Sequence, residues 1–442
     1  PYIAVENSTV NFGAGSDTLT IATTGINTGA LKNSTILANG DDLGDKIDIT
    51  GTVRATDCYM GGGDDALEFR STVNINTSAT GYAAHAGLHS GSAMSHSVID
   101  LGEGNNKLTV ISEGTANHET AATGKMGTVT HGVEGYDILA GSGNDQVRIE
   151  ADYGIYNGKD SSAGTRAESY TEINLGAGND TLTVDSVYSS VYHAKINMGE
   201  GDDYARFSSY KGDFAVLHDA HVDMGSGNDT VEVDYANMVV SSTWWDAKNV
   251  SGDYTFDTIK AHSSIDMGDG NDLLMLRSDF VNDSGKDALL KIALPNDNIR
   301  LDGGDNQALS LDGMHSGDTV NVGDILGFGG RLAGIVSSDN LHNHDIKNFE
   351  SLLINVGEHD TSVSLDNLLS FVSRLEANQA NDIKSLIVTA DNGGNMEMFN
   401  ANGHNMEHSA SNVHIEGLEG DFDAYTFTNT DHETIQIFLQ TM

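Results

Sequence analysis

One ten-residue phrase recurs along this chain and limits what it can fold into: an apolar residue, Gly-x-Gly, a polar residue (usually Asn or Asp), a further Asp, then an alternating apolar run. It reads FGAGSDTLTI from Phe12, MGGGDDALEF from Met60, LGEGNNKLTV from Leu101, AGSGNDQVRI from Ala140, LGAGNDTLTV from Leu175, MGEGDDYARF from Met198, MGSGNDTVEV from Met224 and MGDGNDLLML from Met267. Degenerate relatives stand at GDDLGDKIDI, Gly40 to Ile49, and LDGGDNQALSL, Leu301 to Leu311. Alternation on both sides of the glycines means strand, turn, strand. The glycine pairs (Gly13 and Gly15, Gly61 and Gly63, Gly102 and Gly104, Gly141 and Gly143, Gly176 and Gly178, Gly199 and Gly201, Gly225 and Gly227, Gly268 and Gly270) permit positive φ in a tight turn.

The first glycines are separated by 48, 41, 39, 35, 23, 26 and 43 residues. The short spacings suit one coil of a β-solenoid, and the long ones suit a coil carrying an insertion on a loop face, with candidates at Thr77 to Ser97, Ser112 to Thr130 and Asn237 to His262. The expected fold is all-β: an elongated parallel β-solenoid or β-roll-like body over residues 1–310, and a smaller β-rich C-terminal domain over 311–442 containing a short helix. Leu365, Leu368, Leu369, Val372 and Leu375 fall at helical spacing there, with Ser364 or Asp366 placed to cap.

A hairpin turn explains Gly and Asn, but not an Asp held at one position in seven of eight copies. A net charge of −43 would repel itself in a folded body unless cations were bound, and it makes nucleic acid or an anionic membrane a poor partner. A solvated acidic surface of the halophile kind is the alternative reading. With one cysteine, Cys58, there is no intramolecular disulfide and no cysteine-built metal cluster. No run of about 18 apolar residues occurs, and the first residues, PYIAVENSTVNFG, lack the basic and apolar regions of a signal peptide.

The turns resemble the glycine-rich nonapeptide of RTX proteins, with an apolar residue in place of its first glycine. That resemblance implies Ca²⁺ ligated by turn carbonyls and carboxylates: side-chain ligands at Asp17, Asp65, Asp145, Asp180, Asp203, Asp229 and Asp272, with Asp64, Asn144, Asn179, Asp202, Asn228 and Asn271 beside them, and Asn106 replacing the Asp of the third copy. Ca²⁺ takes six to eight hard oxygens, which stacked Gly-rich turns can supply, whereas Mg²⁺ keeps its waters; sodium or water is the alternative occupant. RTX β-rolls carry their nonapeptides in tandem, but here they occur singly, which points to a wider β-helix with one calcium ladder. Metal affinity would then be folding free energy, and with extracellular sites working at about 0.1–1 mM, folding would be held off in a low-calcium cytosol.

Ile346-Lys347-Asn348-Phe349-Glu350, Leu365-Asp366-Asn367-Leu368-Leu369 and Tyr425-Thr426 are similar to the C-terminal region of bacterial RTX adhesins exported by type I secretion. The resemblance implies an uncleaved C-terminal export signal; a cap closing the solenoid is a compatible reading. An enzyme is expected against: there is no His-Glu-x-x-His and no Gly-x-Ser-x-Gly. His85, His89, His96, His118 and His131 fall in or at the edge of the presumed insertions and His342, His344, His404 and His408 near the end. The expected function is therefore a secreted calcium-binding structural protein, assembling with copies of itself head to tail into a fibre, sheath or S-layer-like matrix. A cell-surface or biofilm adhesin, with Tyr residues and Trp244-Trp245 as a carbohydrate platform, is the alternative, and a β-helix polysaccharide-modifying enzyme a more distant one.

Overall fold

The structure, a computed structural model, describes residues 3–23, 29–38, 42–73, 88–89, 97–114, 130–157, 170–209, 216–235, 255–257, 259–260, 263–270, 272–278, 289–291, 300–302, 319–321, 345–347, 351–355, 361–364, 385–389, 396–399, 406–414, 420–428 and 434–441. Every regular element among them is a strand. The chain divides into two compact units, Pro1–Met224 with Ser241–Ser251, and Gly225–Val240 with Gly252–Met442.

The strands of the first unit are β1 (Ile3–Glu6), β2 (Thr9–Asn11), β3 (Thr18–Ala22), β4 (Gly29–Lys32), β5 (Thr35–Leu37), β6 (Lys46–Thr50), β7 (Thr52–Arg54), β8 (Asp57–Tyr59), β9 (Ala66–Val73), β10 (Leu88–His89), β11 (Ser97–Asp100), β12 (Lys107–Gly114), β13 (His131–Glu134), β14 (Tyr136–Leu139), β15 (Gln146–Tyr156), β16 (Thr171–Asn174), β17 (Thr181–Glu200), β18 (Tyr204–Ser209) and β19 (Leu217–Ser226). They form three parallel stacks. One runs β1, β4, β7, β10, β13, β15, β17. The second runs β2, β5, β8, β11, β14, β16, β17, and the third β3, β6, β9, β12, β15, β17, β18. Three strands make one coil of a parallel β-solenoid, and the long strands β15 and β17 contribute to more than one stack. Between the first and second strands the backbone bends through a single left-handed residue, such as Asn7 (φ 52°), Asn33 (φ 49°) or His193 (φ 58°); Asn is among the residues that tolerate that region, and here Asn33 Nδ2 also donates across to Asn7 Oδ1 of the preceding coil at 3.2 Å.

Period-2 alternation puts the same two positions of each third-stack strand inside: Ile47 and Ile49, Leu67 and Phe69, Leu108 and Val110, Val147 and Ile149, Leu182 and Val184, Ala205 and Phe207, all buried and in register coil to coil. Burying each larger side chain contributes about 1.5–3 kcal/mol. Cys58 stands between Ile36 and Ile99 in a column that continues through Ile138, Ile173 and Ile196, and burial pushes its thiol up to about 12. The core is complete from the second coil onward: Val5, Val10, Leu19 and Ile21 are half-buried, while their register partners Leu31, Ile36, Ile47 and Ile49 are buried.

The second unit continues the numbering with β20 (Thr230–Tyr235), β21 (Thr255–Asp257), β22 (Ile259–Lys260), β23 (Ser264–Asp266), β24 (Leu273–Ser278), β25 (Leu289–Lys291), β26 (Arg300–Asp302), β27 (Thr319–Asn321), β28 (Asp345–Lys347), β29 (Ser351–Asn355), β30 (Thr361–Ser364), β31 (Ser385–Thr389), β32 (Met396–Phe399), β33 (Met406–Val413), β34 (Asp421–Thr428) and β35 (Thr434–Thr441). Parallel pairing runs through β20, β24, β27, β29, β31 and β35, and through β23, β26 and β28. It therefore continues past residue 310. At the end β33, β34 and β35 pair antiparallel over a core of Ile387, Val413, Phe422, Ala424 and Phe438. Ile346 and Lys347 lie in β28, and Tyr425 and Thr426 in β34. The helix expected over Leu365 to Leu375 and the residues Asn348, Phe349 and Glu350 lie outside the described residues, as do His85, His96, His118, His342, His344, His404 and Trp244-Trp245.

Candidate metal centre

Within the first unit each Gly-x-Gly turn joins a second-stack strand to a third-stack strand, with Met60, Leu101, Leu175 and Met198 fully buried just before it; Met224 and Met267, in the same place of their own turns, are fully buried likewise. An inward side chain is needed to close the core beneath the turn, which accounts for an apolar residue where the RTX nonapeptide has glycine. Successive turns then stack in contact. At Gly102 (φ +72°) a Cβ would lie 1.6 Å from the Gly61 carbonyl oxygen, and at Gly104 (φ +110°) 2.1 Å from that of Gly63. The N–H groups of Glu103, Gly141, Ala177 and Glu200 donate to the Gly61, Gly102, Gly141 and Gly176 carbonyls at 2.7 to 2.9 Å, so carbonyl oxygens line the turn edge coil after coil.

The last residue of the phrase builds a ladder. Asp17 N–H donates to Asp45 Oδ1 at 2.7 Å, Asp45 N–H to Asp65 Oδ1 at 2.6 Å, and Asp65 N–H to Asn106 Oδ1 at 3.0 Å. Asn106 N–H then donates to Asp145 Oδ1 at 2.8 Å, Asp145 N–H to Asp180 Oδ1 at 2.7 Å, and Asp180 N–H to Asp203 Oδ1 at 2.7 Å. In the second unit Asp229 N–H donates to Asp272 Oδ1 at 2.8 Å. Each Oδ1 thus satisfies the backbone of the neighbouring coil, and the side chains from Asp45 onward are buried.

The other oxygen is the chemically telling one. Oδ2 of Asp17, Asp65, Asp145 and Asp180 is buried with no hydrogen-bond partner. Burial pushes Asp65 and Asp180 up to about 7, and Asp145 and Asp203 up to about 6, against the lowering effect of the backbone N–H bonds they accept and, at Asp145, of the Asn106 side chain as well. Coils about 4.8 Å apart place like charges in a column, at a repulsion of about 3.5 kcal/mol per adjacent pair for an effective dielectric of about 20. A buried carboxylate oxygen with no donor requires a proton or a cation. The donor set fits a hard divalent cation: carboxylate oxygen and backbone carbonyls, no thiol and no imidazole. Among the described residues no three His, Cys, Asp or Glu side chains converge, so carbonyls would supply most of the coordination.

Sequence reasoning gave both residues of the Asn-Asp pair to the metal, but their side chains do different things. Asp64, Asn105, Asn144, Asn179 and Asp202 are exposed and build a second ladder outside the first: Asn105 N–H donates to Asp64 Oδ1 at 2.8 Å, Asn144 to Asn105 at 2.8 Å, Asn179 to Asn144 at 2.7 Å and Asp202 to Asn179 at 3.0 Å, each through its N–H to the side-chain Oδ1. Asn228 is exposed likewise, and Asn271 lies outside the described residues. Gly13, Gly15, Gly63, Gly143, Gly176, Gly178, Gly199, Gly201, Gly225, Gly227, Gly268 and Gly270 all hold the positive φ that the turns require, whereas Gly141 does not. One ladder residue was missed: Asp45, in the degenerate copy GDDLGDKIDI, whose Gly44-Asp45 followed by Lys-Ile-Asp-Ile was the available signal.

Histidines and tyrosines of the first unit gather elsewhere. Tyr156 and Tyr192 are register partners with ring centroids 5.1 Å apart; His131 lies tilted against Tyr156 at 4.4 Å and His218 against Tyr192 at 4.6 Å. Buried His193 pairs with buried Asp219 through Nδ1 at 2.7 Å under the Tyr170 ring, joining two coils at their bend. Compared with protein-family models, with curated proteins and with solved structures, the chain matches none.

Proposed function

We propose that this chain is a calcium-binding structural protein that works outside the cell and assembles with copies of itself. The observation that carries the reading is the row of buried, unpartnered Oδ2 atoms at Asp65, Asp145 and Asp180, each in a turn lined by glycine carbonyls. Ca²⁺ held by these oxygens would neutralise the column and tie each turn to the next; without it, burying several carboxylates opposes closure of the coils. Affinity in the range of extracellular calcium sites would couple folding to arrival outside the cell. In keeping with that, no helix among the described residues is long and apolar enough to cross a membrane.

Assembly with copies of itself is the second half of the reading: in-register parallel stacks such as β6, β9 and β12 repeat the same edge coil after coil, and a solenoid end without a cap offers that edge to another chain. Circular dichroism and electron microscopy across a calcium titration test the reading: β signal and filaments or sheets appearing together support it, folded monomers at every calcium concentration remove the assembly half, and no response to calcium removes both.

A further inference from the structure

Asn106 sits in the ladder as an aspartate would. Its Oδ1 accepts from Asp65 N–H and its own N–H donates to Asp145 Oδ1, as in the neighbouring rungs. The second side-chain atom is where it differs. Asn106 Nδ2 donates back into its own turn, to Gly104 O at 3.1 Å and Gly102 O at 3.4 Å, with the residue 1% exposed. In the turns of Asp65, Asp145 and Asp180 the corresponding atom is Oδ2, an acceptor, buried and without a partner. An amide brings two donors to two carbonyls, whereas a carboxylate brings none.

We propose that the Asn106 amide takes, in its turn, the place that a cation takes in the aspartate turns, so that this one rung closes without metal. Resting on the calcium reading above, it divides the ladder of the first unit into a group at Asp17, Asp45 and Asp65 and a group at Asp145, Asp180 and Asp203. The rung at Asn106 is a metal-free staple between them, a closed turn on which coils on either side can stack before calcium arrives.

Two reciprocal variants test this, Asn106→Asp and Asp180→Asn, each measured for calcium bound per chain at saturation and for thermal midpoint in chelator, with an osmolyte added so that the metal-free chain folds. Asn106→Asp is expected to bind one more ion and to melt lower in chelator. Asp180→Asn is expected to bind one fewer and to melt higher. Should Asn106→Asp stay unfolded without calcium, as the inference allows, its ion count in calcium and the Asp180→Asn pair of readings still decide. Unchanged ion counts in proteins that do bind calcium overturn the inference and leave the calcium reading standing; no calcium bound by any of the three overturns both.

Discussion

Asp145 donates its backbone N–H to Asp180 Oδ1 at 2.7 Å, from 35 residues away, while Asp180 Oδ2 is buried with no hydrogen-bond partner. At Asp65, Asp145 and Asp180 one carboxylate oxygen is thus committed to holding coils together, and the other is left for something the chain does not itself provide. That division of labour sets the behaviour expected when metal, pH or packing is altered.

The pH dependence of the metal-free chain follows from the raised carboxyls. Asp65 and Asp180 are pushed up to about 7 and Asp145 and Asp203 up to about 6, from an ordinary 3.8. Between these values the folded state holds protons that the unfolded state has released, so stability falls as pH rises and levels off above about 7. In chelator the thermal midpoint is expected to be higher at pH 5 than at pH 8, with the difference shrinking or reversing in calcium. Asp180→Asn should flatten the slope, which separates the ladder from the general repulsion of a −43 chain. A midpoint that rises from pH 5 to pH 8 in chelator contradicts the account.

Turn stacking makes a graded prediction for glycine. A Cβ at Gly199 (φ +115°) would lie 1.6 Å from the Gly176 carbonyl oxygen, whereas at Gly13 (φ +79°) nothing lies within 4 Å. Gly13→Ala should cost only the left-handed strain, about 1–2 kcal/mol, and Gly199→Ala clearly more, at least about 3 kcal/mol. Urea unfolding of both in calcium checks this; equal losses would mean that the turns are not in contact.

Cys58 serves as a reporter of the closed solenoid. Buried in the isoleucine column and raised to about 12, its thiol should resist an aromatic disulfide reagent in calcium and react once chelator and urea open the coils. Prompt labelling of the calcium-loaded protein would contradict the burial.

The turns were legible in the sequence because their chemistry admits few substitutes: positive φ with close carbonyl approach demands glycine at Gly102 and Gly104, and the ladder demands a side-chain oxygen at Asp145 and Asp180. Asp45 was weakly legible because Leu43 stands where other turns have their second glycine, and that turn still fits the ladder. The distinct roles of Asn144 and Asp145 could not be read from residue type, since both carry an oxygen and only the coil geometry sends one outward and one inward. The bends at Asn33 and His193 were hidden for the opposite reason: left-handed residues other than glycine carry no fixed signature, and the spacing between bends varies with the insertions.

The central claim is tested most directly by anomalous diffraction from crystals grown in calcium, recorded at a wavelength where calcium scatters anomalously. Peaks beside Oδ2 of Asp65, Asp145 and Asp180, and none beside the Asn106 amide, are the predicted result. Density for water alone at the aspartate turns, in crystals holding millimolar calcium, would contradict it.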